Sequence, residues 1–264
     1  MNREDLVHLK TWFSNYVASY YTNDKDYNYA IRLKEEHTKR VCRNTITLGK
    51  KLDLSEQDII VAETMALFHD IGRFKQYATY GTFNDMASEN HAELGLKQLA
   101  MHHTLSVCTK EERRCIIKAI AYHNAAVLPE NQDAKTLFFM RLLRDADKID
   151  IWNVVIDYYQ NRDKLSNTVV EIGLPDDPVF SKKVIKALDE NKIVRMQHVS
   201  TLNDFKLLQI SWVFDLNFAP SFQTVKSLQY IEQIAATLPR SKEIQAVVKK
   251  ARDYVNTSVR SSPN

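Results

Sequence analysis

Glu63-Thr-Met-Ala-Leu-Phe-His69-Asp70-Ile-Gly72-Arg73 is an apolar run that ends in an adjacent histidine and aspartate. Leu67, Phe68 and Ile71 put the pair in an apolar setting, where an unpaired carboxylate carries a heavy desolvation cost unless a cation or strong donors meet it. An imidazole and a carboxylate side by side suit a divalent transition metal and leave coordination positions free for water. Alone, a His-Asp dipeptide more often marks a hydrogen-bonded helix end. Its weight therefore depends on the company it keeps elsewhere in the chain.

Outward from that stretch the chain reads as helices. With 264 residues and 44% hydrophobic content it can build a full core, and only 5 Gly and 6 Pro leave too few turn residues for a sandwich or barrel. No βαβ alternation is visible. The expected fold class is all-α. Leu6, Leu9, Phe13, Tyr16, Val17 and Tyr20 recur at spacings of three and four, which predicts a helix over about 3–21. A second helix over about 27–52 carries Ala30, Leu33, His37, Val41, Thr45 and Leu48 on one face, so His37 points inward. Ser55-x-x-Asp58 opens the helix that holds His69-Asp70, and Gly72 is read as its end.

The segment from Arg73 to Ala87 lacks clear periodicity and reads as a loop beside the His-Asp pair. Ser88 is read as the cap of a helix running to about His103, with His91 in its first turn and Gly95 one turn later, where a small residue permits close approach of another helix. Thr109-x-x-Glu112 is a capping box for a helix ending at Tyr122-His123-Asn124. Residues Leu137 to Asp147 are helical again, and Asp145 closes that apolar helix much as Asp70 closes its own. Past Tyr158-Tyr159 the pattern loosens, and Gly173-Leu-Pro175-Asp-Asp-Pro178 is the clearest loop in the chain. Helices are expected over about 179–190, 202–217, 221–238 and 242–257. The organisation read from this is a helical core with an N-terminal helix over 1–165 and a C-terminal helical extension over 166–264 packed on it.

A net charge of +3, from 36 basic and 33 acidic side chains, is mixed rather than cationic, and the short Lys182-Lys183 and Lys249-Lys250 pairs read as solvated helix surface. The sequence therefore gives no strong nucleic-acid signal. Cys42, Cys108 and Cys115 form no CxxC pair and leave an odd count, so a disulfide framework is not expected. No run approaches the roughly 18 uninterrupted apolar residues of a membrane span, and the N-terminus has no apolar leader. The expectation is a cytoplasmic protein without membrane partners. Its oligomeric state is left open.

Collected, the inward or helix-end imidazoles and carboxylates are His37, His69, Asp70, His91, His123 and Asp145, on five helices. Three ligands would hold one metal with open positions for water. Six suffice for two metals with Asp70 bridging.

The order His37, His69-Asp70, His91, His123, Asp145 resembles the signature of the HD-domain superfamily of metal-dependent phosphohydrolases, in its binuclear variant. Glu36-His37-Thr-x-Arg-Val, Phe68-His69-Asp70-Ile-Gly-Arg73, Asn90-His91-Ala-x-x-Gly95, Tyr122-His123-Asn124 and Arg144-Asp145-Ala-Asp147-Lys148 look like its pieces in order and spacing, over about 27–160. The resemblance implies an HD-domain helical bundle and in-line attack of metal-bound hydroxide on a phosphomonoester, nucleotide or related phosphoester. It also implies one or two divalent ions per chain; Fe, Mn, Zn, Ni or Co would suit such a site. Arg73 falls where related His-Asp-x-Gly-Lys motifs carry a phosphate-contacting lysine, and Lys148, three residues after Asp145, is a second candidate. With Asp70 these two form the expected catalytic set, and Arg73, Lys148 and His123 the expected substrate contacts. No Gly-Tyr-Pro string follows His123, which counts against a cyclic-di-GMP phosphodiesterase of the HD-GYP group. The different-class alternative is a non-catalytic HD module that binds metal and nucleotide as a sensor or scaffold.

Overall fold

The computed structural model describes residues 1–161 and 171–260. The described residues form helices and contain no strand. They divide into two compact units, Met1–Asp150 and Ile151–Asn264. That division falls inside a long helix, whereas the boundary expected at residue 165 lies outside the described residues.

The first unit is built around helix α3 (Glu56–Phe68), in which Ile60 to Phe68 are all buried. A helix apolar on every side must be central, and α3 is packed by α1 (Arg3–Ala18), α2 (Lys25–Lys51) and α6 (Lys110–Tyr122). On α1, Leu6, Leu9, Phe13 and Val17 form the buried stripe that the spacing predicts. Asn2 closes a capping box with Asp5, and Thr109 closes the one with Glu112 that opens α6. Ser55 caps α3 through the Asp58 amide.

The structure corrects two readings of the chain around His69-Asp70. Gly72 does not end a helix: α3 stops at Phe68, His69 is its C-cap, Asp70 is the next N-cap, and α4 (Ile71–Tyr80) begins at once. Most of the segment read as a loop is therefore helical, and the stretch after Gly81, which takes the left-handed conformation at φ 65°, runs to Asn90 with one short 3-10 turn at Asp85–Ala87. The next helix, α5 (His91–Met101), is capped by Asn90 rather than Ser88.

Helices α4 and α5 touch through glycine. A Cβ on Gly72 would come within 2.1 Å of the His91 carbonyl oxygen and 2.5 Å of the Gly95 nitrogen. Gly95 in turn faces Ile71 and the Gly72 backbone, the close approach that its size permits. This contact holds the start of α5, and with it His91, against the start of α4 and Asp70.

Helix α7 (Ala134–Gln160) is longer than the predicted 137–147 and carries Asp147 and Asp150 in the first unit before continuing into the second. There Val155, Tyr158, Tyr159 and Leu202 form a core with Ile151 and Phe205 against it. Trp152 donates its indole N–H to the Gln209 carbonyl at 3.0 Å. The remaining elements are α8 (Lys182–Asp189), α9 (Leu202–Ser211), α10 (Ala219–Ser227), α11 (Tyr230–Ala235) and α12 (Lys242–Arg260). The helix expected over 221–238 is broken at Gln229, whose φ of 53° is left-handed. No described helix is long and apolar enough to cross a membrane.

Candidate metal centre

Five helices of the first unit deliver the four histidines and Asp70. His37 projects from the middle of α2, His69 is the C-cap of α3, Asp70 the N-cap of α4, His91 the first residue of α5 and His123 the C-cap of α6. All are buried. Among the described residues, ligand atoms of His37, His69 and Asp70 lie close enough together to share one ion, as do those of Asp70, His91 and His123.

The two groups meet at Asp70. Its Oδ2 faces His37 Nε2 at 3.5 Å and His69 Nε2 at 3.7 Å, while its Oδ1 faces His91 Nε2 at 3.3 Å and His123 Nε2 at 3.7 Å. One carboxylate thus presents a separate oxygen to each imidazole pair. Within the pairs, the Nε2 atoms of His37 and His69 are 3.2 Å apart and those of His91 and His123 2.9 Å apart.

What stands behind each ring decides which nitrogen carries the proton. His69 Nδ1 donates to the Ala66 carbonyl at 2.8 Å and His123 Nδ1 to the Ile120 carbonyl at 2.7 Å, each a carbonyl in the last turn of its helix. His37 Nδ1 meets Asp150 Oδ2 and His91 Nδ1 meets Asp85 Oδ2, both at 2.7 Å. Backbone carbonyls and ionised carboxylates only accept, so Nδ1–H is the tautomer in every ring and the Nε2 lone pairs face inward. Two such lone pairs about 3 Å apart repel one another unless a cation lies between them, and a carboxylate behind a ligating imidazole is the usual outer partner of a metal site.

The carboxylate that joins this set from α7 is Asp147. Its Oδ1 lies 3.1 Å from His37 Nε2 and 3.6 Å from His69 Nε2. Asp145, which the sequence pointed to, is not brought into the imidazole cluster. Two residues along an α-helix turn the side chain by about 200°, so with Asp147 aimed at the histidines Asp145 projects from the opposite side of α7, where it is fully buried. Lys148 is also buried, about 100° around the axis from Asp147.

Asp147 Oδ1 is buried and has no hydrogen-bond partner despite its closeness to two imidazoles. An orphaned carboxylate oxygen beside inward lone pairs is the donor set of a divalent transition metal, so the residues fit the ion. The electrostatics agree. Burial pushes Asp70 and Asp147 up, but Lys34 and the imidazoles around Asp70, and His37 and His69 beside Asp147, outweigh it and hold both carboxyls well below the usual range. Burial and Lys34 push the His37 imidazole down, yet Asp147 and Asp150 prevail and raise it above its ordinary value. These carboxylates therefore favour positive charge at His37 Nε2, which a metal supplies in place of a proton. His123 is pushed down to about 4, chiefly by burial and further by His91 and His69, so it is a neutral ligand near pH 7.

Asp150, Asp85 and Lys34 complete the site without having stood out in the sequence. Asp150 is gripped by Arg40, with Nε 2.6 Å from Oδ1 and Nη2 3.1 Å from Oδ2. Asp85 accepts from Arg73 Nη1 at 2.9 Å and Gln76 Nε2 at 2.8 Å, and Asn124 Nδ2 donates to its other oxygen at 3.3 Å. Arg73 Nη1 also donates to the Phe83 carbonyl, which ties down the irregular stretch after α4. Lys34 Nζ donates to Asp70 Oδ2 at 2.8 Å. Asp150 and Lys34 each sit three residues from a ligand on the same helix, at Asp147+3 and His37−3, a spacing that places them on the ligand's face.

Such a bundle of helices, with imidazoles and carboxylates converging from five of them on a shared aspartate, is the arrangement of a helical metal-binding domain. The model of the family described as HD domain matches residues 35–152, a span that takes in His37, His69, Asp70, His91, His123 and Asp147. Over residues 35–152 the chain is thus similar to the HD domain, an all-helical fold whose superfamily comprises metal-dependent phosphohydrolases. No curated protein and no solved structure matches the chain.

Proposed function

We propose that the chain is a phosphohydrolase that uses two divalent ions to cleave a phosphomonoester, nucleotide or related phosphoester. The observation that carries this reading is the pair of facing imidazole couples, each with its Nε2 lone pairs directed inward and each served by its own oxygen of Asp70. His37, His69, Asp147 and Asp70 Oδ2 would hold one ion, and His91, His123 and Asp70 Oδ1 the other. Bound there, divalent ions lower the pKa of water to supply a nucleophile near neutral pH and neutralise charge on phosphoryl oxygens.

The protein's own residues do the positioning. Asp150 and Asp85 fix the tautomer and the orientation of His37 and His91, and the Arg40 and Arg73 clamps keep those carboxylates ionised and still. Arg73 Nε is buried without a hydrogen-bond partner, 3.5 Å from Asp70 Oδ1, and is a donor left for a phosphoryl oxygen on the His91 side. Lys148 belongs to the same proposed set through its place beside Asp147 on α7.

The test is a panel of phosphomonoesters, nucleotides and cyclic dinucleotides offered to protein reconstituted with Mn, Fe, Co, Ni or Zn. Metal-dependent hydrolysis of at least one class, followed as phosphate release or as ring-opened or cleaved nucleotide product, that disappears in Asp70→Ala is expected. A fully metal-loaded protein inert toward every class would instead make this a non-catalytic HD module.

A further inference from the structure

Two cations flank the shared aspartate, and only one of them sits in the His-Asp-Ile-Gly-Arg stretch. Arg73 approaches Asp70 from the Oδ1 side and Lys34 from the Oδ2 side. Both lie over the ring of Phe83, the Lys34 ammonium 5.5 Å and the Arg73 guanidinium 5.9 Å from its centroid. The stretch that carries Phe83 is anchored to Arg73, so one ring packs against both charges.

Lys34 is oriented by α2, one turn before His37, with its side chain 17% exposed. An ammonium has three N–H donors. The one hydrogen bond made by Lys34 among the described residues goes to Asp70 Oδ2, which leaves donor capacity on a side chain that keeps some exposure. A lysine held at this depth is expensive to desolvate, and a plain counter-ion for Asp70 is not needed where metals neutralise that carboxylate.

We infer that Lys34 is a substrate contact that binds a phosphoryl oxygen on the His37–His69 side of Asp70, opposite Arg73, so that the two cations clasp the phosphoryl group from the two sides of that carboxylate. This rests on the phosphohydrolase reading for its substrate class. A clasp of this kind needs two non-bridging oxygens on one phosphorus, one for each cation, which phosphomonoesters and phosphodiesters both offer.

The experiment is calorimetric titration of inorganic phosphate into metal-loaded wild type, Lys34→Met, Lys34→Gln and Lys34→Arg, with metal content measured on the same samples. Loss of one charge-assisted hydrogen bond predicts phosphate binding weaker by about tenfold to a hundredfold in the methionine and glutamine variants, with metal per chain unchanged, and partial recovery with arginine. Wild-type phosphate affinity in both neutral variants would overturn the inference. So would a change in metal content that accounts for the loss, because Lys34 would then act only on Asp70. If phosphate binding depends on Lys34 while the wild type hydrolyses nothing, the clasp stands and the enzyme reading falls. Metal-dependent turnover that is indifferent to Lys34 has the opposite meaning: the enzyme reading stands and the clasp falls.

Discussion

Asp145 and Asp147 pose the sharpest question at the scale of single residues. Both are acidic, both are buried, and they are two positions apart on α7. In the sequence they are near-equivalent, because Arg144-Asp-Ala-Asp-Lys148 offers two carboxylates at the end of an apolar run and the spacing to His123 constrains neither. What separates them is helical phase relative to α2 and α3, a long-range property that only the packed bundle shows: Asp147 Oδ1 reaches the His37–His69 pair. Asp147→Asn is expected to lower bound metal by about one ion per chain, while Asp145→Asn keeps the wild-type stoichiometry in whatever fraction folds. Metal analysis of the two purified variants checks this. The histidines and Asp70 were legible for the opposite reason. Each sits at a helix end or on an apolar stripe, where a polar group calls for an explanation without any knowledge of its neighbours. Asp85 and Lys34 lie on polar stretches that read as ordinary surface, and Asp150 sits among Ile149, Ile151 and Trp152 with no sign in the sequence of the histidine and arginine it meets.

At the scale of elements, the α4–α5 crossing fixes how close the two imidazole pairs come. Helices α1, α2, α3 and α6 could be read from periodicity and caps because their buried faces are apolar. Helix α4 could not. It buries Gly72 and Gln76 beside Ile71 and Phe74, and the Gln76 amide is used to staple Asp85, Ser88 and the Glu89 carbonyl rather than to fill a core. Gly72 is the residue on which the crossing depends. A methyl group there meets the His91 carbonyl and the Gly95 amide, backbone atoms that can yield only by moving α5. Gly72→Ala should therefore destabilise the protein by about 1–3 kcal/mol or more through overpacking, and should loosen binding of the ion assigned to His91 and His123 before the other. Thermal unfolding together with a metal titration resolves both effects; an unshifted melting temperature would show that the helices are not held at this contact.

For the whole molecule, a cluster of inward lone pairs and ionised carboxylates makes the first unit sensitive to pH when chelated. His123 has its pKa lowered from 6.5 to about 4 in the folded chain, so the unfolded chain binds more protons between those values. Its contribution is present in full above about 6.5 and is lost as pH falls through about 4, a change on the order of 3 kcal/mol. The depressed carboxyls of Asp70 and Asp147 add loss in the same direction at lower pH, whereas the raised His37 favours the folded state until pH rises through its own pKa. Metal-free protein should thus melt at progressively lower temperature from pH 6.5 to pH 4, and His123→Gln should flatten that slope. Ions that bind the folded state alone raise stability by mass action, so saturating metal at pH 7 should raise the melting temperature, an increase that a chelator removes.

All of these expectations derive from one arrangement, two imidazole pairs sharing Asp70. Anomalous diffraction from crystals of the metal-loaded protein measures it directly. The account predicts two peaks, one enclosed by His37, His69 and Asp147 and one by His91 and His123, with Asp70 giving an oxygen to each. A single peak coordinated through Asp145, or density for no ion at these nitrogens in protein shown to carry metal, would contradict it.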